Sequence, residues 1–192
     1  MKEQIDQGQY KSERKTIFHQ LLDPSATEGH VVPDVEDLTD EAFTILTAAA
    51  DTTGNAMTMT SYYVISNPEI YRTLTAELEK AFPHSISKLD YATLEKLPYL
   101  TAVIKEGLRL SFGVPGRLPR MIETQDMVLN GYKIPRGTIV GMSSWMMHRN
   151  PKIFPDPDTF QPERWLDPVN TAKLEKSFVA FGRGSRQCIG ML

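Results

Sequence analysis

The sequence of 192 residues has a single cysteine, Cys188, and four histidines, and neither count supports a common metal cage. One cysteine cannot close an internal disulfide or build a four-cysteine zinc or iron–sulfur site. His19, His30, His84 and His148 are too far apart in sequence for the i, i+4 helical pair of a zinc hydrolase. Long apolar runs are missing as well. The segment Ala42 to Ala50 is broken by Thr44 and Thr47 and falls short of the roughly 20 residues that cross a bilayer. The opening Met1-Lys2-Glu3-Gln4 lacks the apolar stretch of a secretory signal, and no targeting segment is read. There is no basic excess: 21 Lys and Arg stand against 24 Asp and Glu, a net charge of −3, so nucleic acid is not expected as a partner. What is present, 41% hydrophobic residues, suffices for one ordinary core.

Proline divides the chain, since eight of the 13 fall after residue 110. The first part reads as helical. A short helix is expected over Thr16 to Leu22, and a long one with Thr39 as N-cap, Asp40 and Glu41 in its first turn and an end near Ser66. Pro68 opens a third helix, with Ile70, Leu74, Leu78, Ala81 and Phe82 at helical spacing, which Pro83 stops. From Tyr91 a short turn leads to Pro98, which opens a helix to about Leu110 with Leu100, Val103, Ile104 and Leu108 on one face. The turn signals Asn130-Gly131 and Pro135-Arg136-Gly137 suggest two or three short strands over Met127 to Ile134 and Thr138 to Val140. From Asn150 to Pro168 the prolines prevent a regular element, yet Phe154, Phe160 and Trp165 give the segment side chains to dock on a core. The fold class is mainly α with a small β part. No internal repeat or interdomain linker is found.

The segment from Phe181 to Gly190 surrounds Cys188 with glycines and arginines. Glycines permit positive φ and close approach, and guanidinium groups nearby complement a negatively charged sulfur. One sulfur is too little for zinc, but it suffices as an axial ligand of haem iron, where the porphyrin supplies four donors. The rival readings are a buried structural cysteine and a dinucleotide loop after a strand over Ser177 to Phe181. The latter lacks its third glycine, because Gln187 stands there. Asp51-Thr52-Thr53 places an acid and an alcohol in the middle of the long helix, beside small alanines. A Thr hydroxyl bonded to the carbonyl four residues back would open a local gap there, while solvent exposure is the plainer alternative. Glu106 and Arg109, three apart, can pair. Projected on a helix they lie away from the Leu100 stripe, which argues for a solvated face unless a partner such as Arg164 buries them.

Together these segments resemble the cytochrome P450 family of haem-thiolate monooxygenases, with four signatures in family order. Ala48-Ala49-Ala50-Asp51-Thr52-Thr53 is similar to the oxygen-activation segment, with Ala49 where glycine is commoner. Glu106-Gly107-Leu108-Arg109 fits Glu-x-x-Arg. Pro162-Glu163-Arg164-Trp165 looks like the meander signature with Trp in place of Phe. Phe181, Gly184, Arg186, Cys188 and Gly190 fit the cysteine loop in full.

The resemblance implies haem b (iron protoporphyrin IX) with Cys188 as the axial thiolate and only metal ligand, and Phe181 and Gly184 in the cofactor cradle. It also implies Arg120 and Arg186 as partners of the propionates. Asp51 and Thr52 would deliver protons to iron-bound oxygen, while Glu106, Arg109 and Arg164 would lock the meander. An apolar substrate would lie beside Ile45, Leu46 and Ala49. Dioxygen and an NADPH-cytochrome reductase are the other expected partners, the latter docking on Lys173, Lys176, Arg183 and Arg186. Residues 1–192 are expected to be the C-terminal portion of one such domain, truncated at both ends, without the N-terminal anchor that usually holds such enzymes at the endoplasmic reticulum. The function expected is oxidation of an apolar small molecule in fungal terpenoid or polyketide biosynthesis. The alternatives are an inactive relic, a reductase-independent isomerase or dehydratase, and a non-catalytic helical binding module.

Overall fold

The computed structural model describes residues 16–84 and 89–191. The chain divides into two units, Met1–Asp51 and Thr52–Leu192. In the first, helix α1 spans Ile17–Leu22. His19 folds back so that its Nδ1 accepts the Thr16 N–H at 3.0 Å. Helix α2 covers Val35–Ser66, starting four residues before the expected Thr39. Asp34 is the real cap: its Oδ1 accepts the Asp37 N–H at 2.9 Å, and Glu36 and Asp37 supply the first-turn acids. Thr39 bonds the Val35 carbonyl at 2.7 Å instead, as a threonine inside a helix does. Thr47, Thr58 and Thr60 repeat this pattern toward Phe43, Gly54 and Ala56. Helix α2 is helical without interruption across residues 48–54.

In the second unit α2 is followed by α3, Pro68–Ala81. Asn67 caps it by accepting the Glu69 and Ile70 N–H groups at 3.1 and 3.4 Å, and Pro68 takes the first position, where no donor is needed. The short turn expected after Tyr91 is a one-turn helix, α4, Tyr91–Leu94, with Asp90 as cap. Helix α5, Pro98–Ser111, begins at Leu97, which cannot cap it. Glu77 of α3 does so from outside, its two carboxylate oxygens accepting the Tyr99 and Leu100 N–H groups at 2.8 Å each.

Among the described residues the β part consists of four strands in two antiparallel pairs: β1 (Leu118–Met121) with β4 (Ile139–Met142), and β2 (Met127–Leu129) with β3 (Tyr132–Ile134). Asn130 and Gly131, at φ 49° and 83°, close the β2–β3 hairpin as their sequence suggested. Strand β1 was not expected because it contains Pro119. In a two-stranded sheet every strand is an edge, and an edge tolerates the missing donor. Helix α6, Ser144–His148, and helix α7, Pro168–Leu174, were also unexpected. Asp167 caps α7 by accepting the Val169 and Asn170 N–H groups, each at 3.2 Å. Ser177 to Phe181 forms no strand, which removes the context a dinucleotide loop needs. No described helix is long and apolar enough to cross a membrane.

Helix α5 serves two apolar clusters. Tyr99, Val103 and Leu110 pack with Val64, Ile70 and Phe160, while Ala102 packs with Phe154, Trp165 and Leu174. The proline-rich meander thus lies across α5 and docks its aromatic side chains in both clusters. The buried face keeps Val103 of the expected stripe but turns away from Ile104 and takes in polar positions. Ile104 is 47% exposed, whereas Glu106, Gly107 and Arg109 are buried. Gly107 is needed for the approach of α2, since a Cβ there would stand 1.9 Å from Thr60 Oγ1 and 2.9 Å from Thr60 Cβ. Gly107→Ala is expected to lower stability by about 1–3 kcal/mol through overpacking, in spite of alanine's better helix propensity. Equilibrium urea melts check this, and Thr60→Gly in the same chain is expected to relieve much of the loss.

Candidate active site

Glu106 is the hub of the buried polar structure, and both it and Arg109 are 0% exposed. Arg109 holds it twice, Nε to Oε2 and Nη2 to Oε1, both at 2.9 Å. Oε1 also accepts Arg164 Nε at 2.9 Å and the Gln161 N–H at 3.0 Å. The fifth donor is the Trp165 indole, Nε1 to Oε2 at 2.9 Å. Arg164 thus turns the Glu106–Arg109 pair into a network and withdraws it from solvent.

One carboxylate between two guanidinium groups leaves a surplus positive charge, and burial of such a charge requires compensation. Backbone carbonyls of residues 148–159 supply it. Arg109 donates to His148, Pro157 and Thr159 at 2.8, 2.7 and 3.2 Å, and Arg164 to Pro155 and Asp156 at 3.0 and 3.5 Å. The same bonds answer the meander's own need. Against expectation the meander holds one short 3-10 helix, Pro162–Trp165, opened by its proline, but residues 149–161 are in neither helix nor sheet, so their carbonyls would otherwise lack donors. Tyr99 adds a tie, its hydroxyl donating to Glu163 Oε1 at 2.9 Å; burial first, then that carboxylate, push the phenol up to about 12. Sequence reasoning missed Tyr99, Glu77 and the indole donor. It took Trp165 for an aromatic anchor alone. Trp165→Phe keeps the ring but strips Oε2 of one of its two donors, and is expected to cost about 1.5–3 kcal/mol in a denaturant melt, the usual worth of a bond to a charged acceptor. A loss below about 0.5 kcal/mol would contradict that role.

His148 sits against this network and is 0% exposed. Burial lowers its imidazole to about 4, an effect that the positive charge of Arg109 adds to and that the Arg109 carbonyl and the Glu106 charge oppose. Its sequence carried no signal, because its partners lie more than 30 residues away.

The cysteine loop follows. Cys188 is exposed, and its N–H donates to the Phe181 carbonyl at 2.8 Å. The Gln187 N–H donates to the Gly184 carbonyl at 3.0 Å. Gly182 and Gly184 hold φ at 71° and 81°, values that side chains on Cβ disfavour, and nothing lies within 4 Å of where a Cβ on Gly184 would stand. The loop therefore presents a sulfur beside an open stretch of backbone. Among the described residues no three His, Cys, Asp or Glu side chains converge as a metal cage. This donor set fits a macrocycle that brings its own four nitrogens and requires one protein ligand.

The other candidate residues lie on α2, on β1 and along the chain into and through that loop. Asp51 is exposed and Thr52 half-buried on consecutive positions of α2. Arg120, on β1, is exposed, pairs in register with Val140 and donates through Nη1 to the Pro119 carbonyl at 2.7 Å. Arg186 is exposed two residues before Cys188, and Lys173, Lys176 and Arg183 are exposed too, Arg183 donating to the Glu175 carbonyl. A hollow of about 520 Å³ adjoins the loop, walled by Phe178, Phe181, Arg183, Gln187 and Met191 among others. Cys188, Asp51 and Thr52 are not in its walls, so it is not assigned to substrate.

Comparison with known proteins agrees with this donor set. Residues 1–192 match the cytochrome P450 family. The chain is 41% identical over 179 residues to cytochrome P450 monooxygenase sol6 of Alternaria solani, covering 93% of this chain and 39% of that one. It is 44% identical over 178 residues to cytochrome P450 monooxygenase macH of Penicillium terrestre, covering 92% and 35%. Over 180 residues it is 43% identical to N-acetyltryptophan 6-hydroxylase ivoC of Emericella nidulans, again covering 92% and 35%. The chain belongs to the cytochrome P450 family, whose general cofactor is haem ligated by a cysteine thiolate. It spans between 35% and 39% of the length of these curated relatives.

Proposed function

We propose that the chain carries the function of a haem-dependent monooxygenase, which oxidises an apolar small molecule with dioxygen and electrons from an NADPH-cytochrome reductase in fungal terpenoid or polyketide biosynthesis. The observation that carries this reading is the exposed Cys188 sulfur on a loop fixed by the Cys188 N–H bond to Phe181 and by two left-handed glycines. The relatives support it as well, being fungal proteins named as monooxygenases or a hydroxylase, which favours oxygen insertion over isomerisation, dehydration or mere binding.

When bound, the haem supplies the one-electron redox chemistry and the activation of dioxygen. Cys188 would ligate the haem iron, and Phe181 and Gly184 would form the wall the macrocycle approaches. Arg120 and Arg186 would pair with the propionates as fixed positive charges. Asp51 and Thr52, an acid next to an alcohol in the middle of α2, hold water and pass protons toward the reacting oxygen. Ile45, Leu46 and Ala49 favour an apolar substrate. Lys173, Lys176, Arg183 and Arg186 attract an acidic electron donor. One oxygen atom enters the substrate, and the other leaves as water with two electrons and two protons.

Turnover of a terpenoid test substrate under isotopically heavy dioxygen, with NADPH and reductase, checks this. Product carrying one heavy oxygen atom, and no product without oxygen or NADPH, is expected. Equal product without either would overturn oxygen insertion in favour of isomerase or dehydratase chemistry.

A further inference from the structure

The ring of His148 lies beside the Glu106 hub and joins two segments distant in sequence. Nδ1 lies 3.0 Å from the carbonyl oxygen of Arg109, in the last turn of α5, and Nε2 lies 2.9 Å from the backbone nitrogen of Val179. A carbonyl can only accept and an amide N–H can only donate. The ring proton therefore sits on Nδ1 and the lone pair on Nε2, a single neutral tautomer dictated by its partners. The ring is clamped as well, stacked on Phe178 at 5.5 Å and 17° and met edge-on by Phe154 at 5.9 Å and 82°.

Val179 stands where the chain enters the cysteine loop. Its carbonyl accepts the Gly182 N–H at 3.0 Å, and Phe181, one residue before Gly182, holds the Cys188 N–H at 2.8 Å. A continuous run of hydrogen bonds thus leads from Glu106 through Arg109 and His148 to Val179, and the loop turns that follow lead to Cys188. We propose that His148 is the positioning residue of the cysteine loop, its Nε2 lone pair anchoring the loop at Val179 so that the Cys188 sulfur is presented in one place to the haem iron. This rests on the reading of Cys188 as the axial ligand.

The two halves of the imidazole can be separated by substitution. Glutamine reaches as far as Nε2 and offers a carbonyl oxygen to the Val179 N–H; asparagine reaches only as far as Nδ1 and can keep the bond to Arg109. Haem-loaded protein is reduced with dithionite and exposed to carbon monoxide, and the red-shifted Soret band of thiolate ligation is compared with the band of haem that has lost it. His148→Gln is expected to keep the unsubstituted ratio. His148→Asn and His148→Phe are expected to lower it about tenfold. Amide hydrogen exchange at Val179 and Cys188 is expected to speed up about tenfold in the latter two only, a readout independent of turnover. Nitrogen NMR of the unsubstituted protein needs no variant to fold, and is expected to show the proton on Nδ1 alone at neutral pH. A proton on Nε2, unchanged ratios in all three variants, or rescue by asparagine as good as by glutamine would overturn the role of His148. A thiolate-type band missing from the unsubstituted protein itself would overturn the reading of Cys188 instead.

Discussion

Glu106→Ala is expected to destabilise the protein by about 3–5 kcal/mol, the cost of leaving buried charge without its partner. The physical reason is an imbalance already present in the native structure. Two guanidinium groups share one carboxylate, and carbonyl dipoles of the meander make up the difference. Without Glu106 both arginines stay buried with carbonyl dipoles alone for compensation, and the Gln161 N–H and the Trp165 indole lose their acceptor at the same time. Glu106→Gln is expected to be nearly as harmful, because its amide brings two donors of its own into a nest of donors. Urea melts measure the loss. In a double-mutant cycle with Arg164→Met the two losses should fall well short of adding, since removal of one cation relieves part of the imbalance. A loss under about 1 kcal/mol for Glu106→Ala would show that the meander is held by its aromatic side chains and not by this hub.

Acid is expected to weaken the fold through His148. Its imidazole lies at about 4 in the folded protein against 6.5 when free, for burial disfavours the cation. Between these values the unfolded chain takes up a proton that the folded one refuses, so stability falls as pH falls. The contribution is complete above about 6.5 and lost by about 4, and over that window it amounts to about 3 kcal/mol. The charged groups facing the ring are Arg109, which opposes protonation, and Glu106, which favours it, both from α5. Melts at pH 7 and pH 5 in the unsubstituted protein and in His148→Gln isolate the effect, with the pH dependence expected to be smaller in the variant by about 2 kcal/mol. An equal slope in both would show that His148 takes no part in the acid response.

The local features of the fold were legible because each depends on a few neighbouring residues. Asn67-Pro68 marked the junction of α2 and α3, Asn130-Gly131 a hairpin, and Phe154, Phe160 and Trp165 a docked meander, all of which are present. Where two caps competed, Asp34 won over Thr39, since an acidic side chain after Pro33 is the first able to receive the free N–H groups. Helix α5 shows where the reading of periodicity ran out. Its apolar stripe pointed to Ile104, but its buried face carries Glu106 and Arg109, whose partners Gln161, Arg164 and Trp165 lie some 50 residues on and leave no trace in the spacing of the helix itself. Arg164 was named as a possible partner, but not His148 or the indole donor. Capping of α5 by Glu77, 22 residues before Tyr99, was equally invisible, because a carboxylate within one helix does not announce the end of another.

The central claim is that the Cys188 sulfur is the protein's ligand to haem iron. The spectrum of reduced, carbon monoxide-treated protein, with and without Cys188→Ser, tests it most directly. The unsubstituted protein should show the red-shifted Soret band of thiolate ligation and the serine variant should lose it. An unchanged band in the variant would contradict the claim.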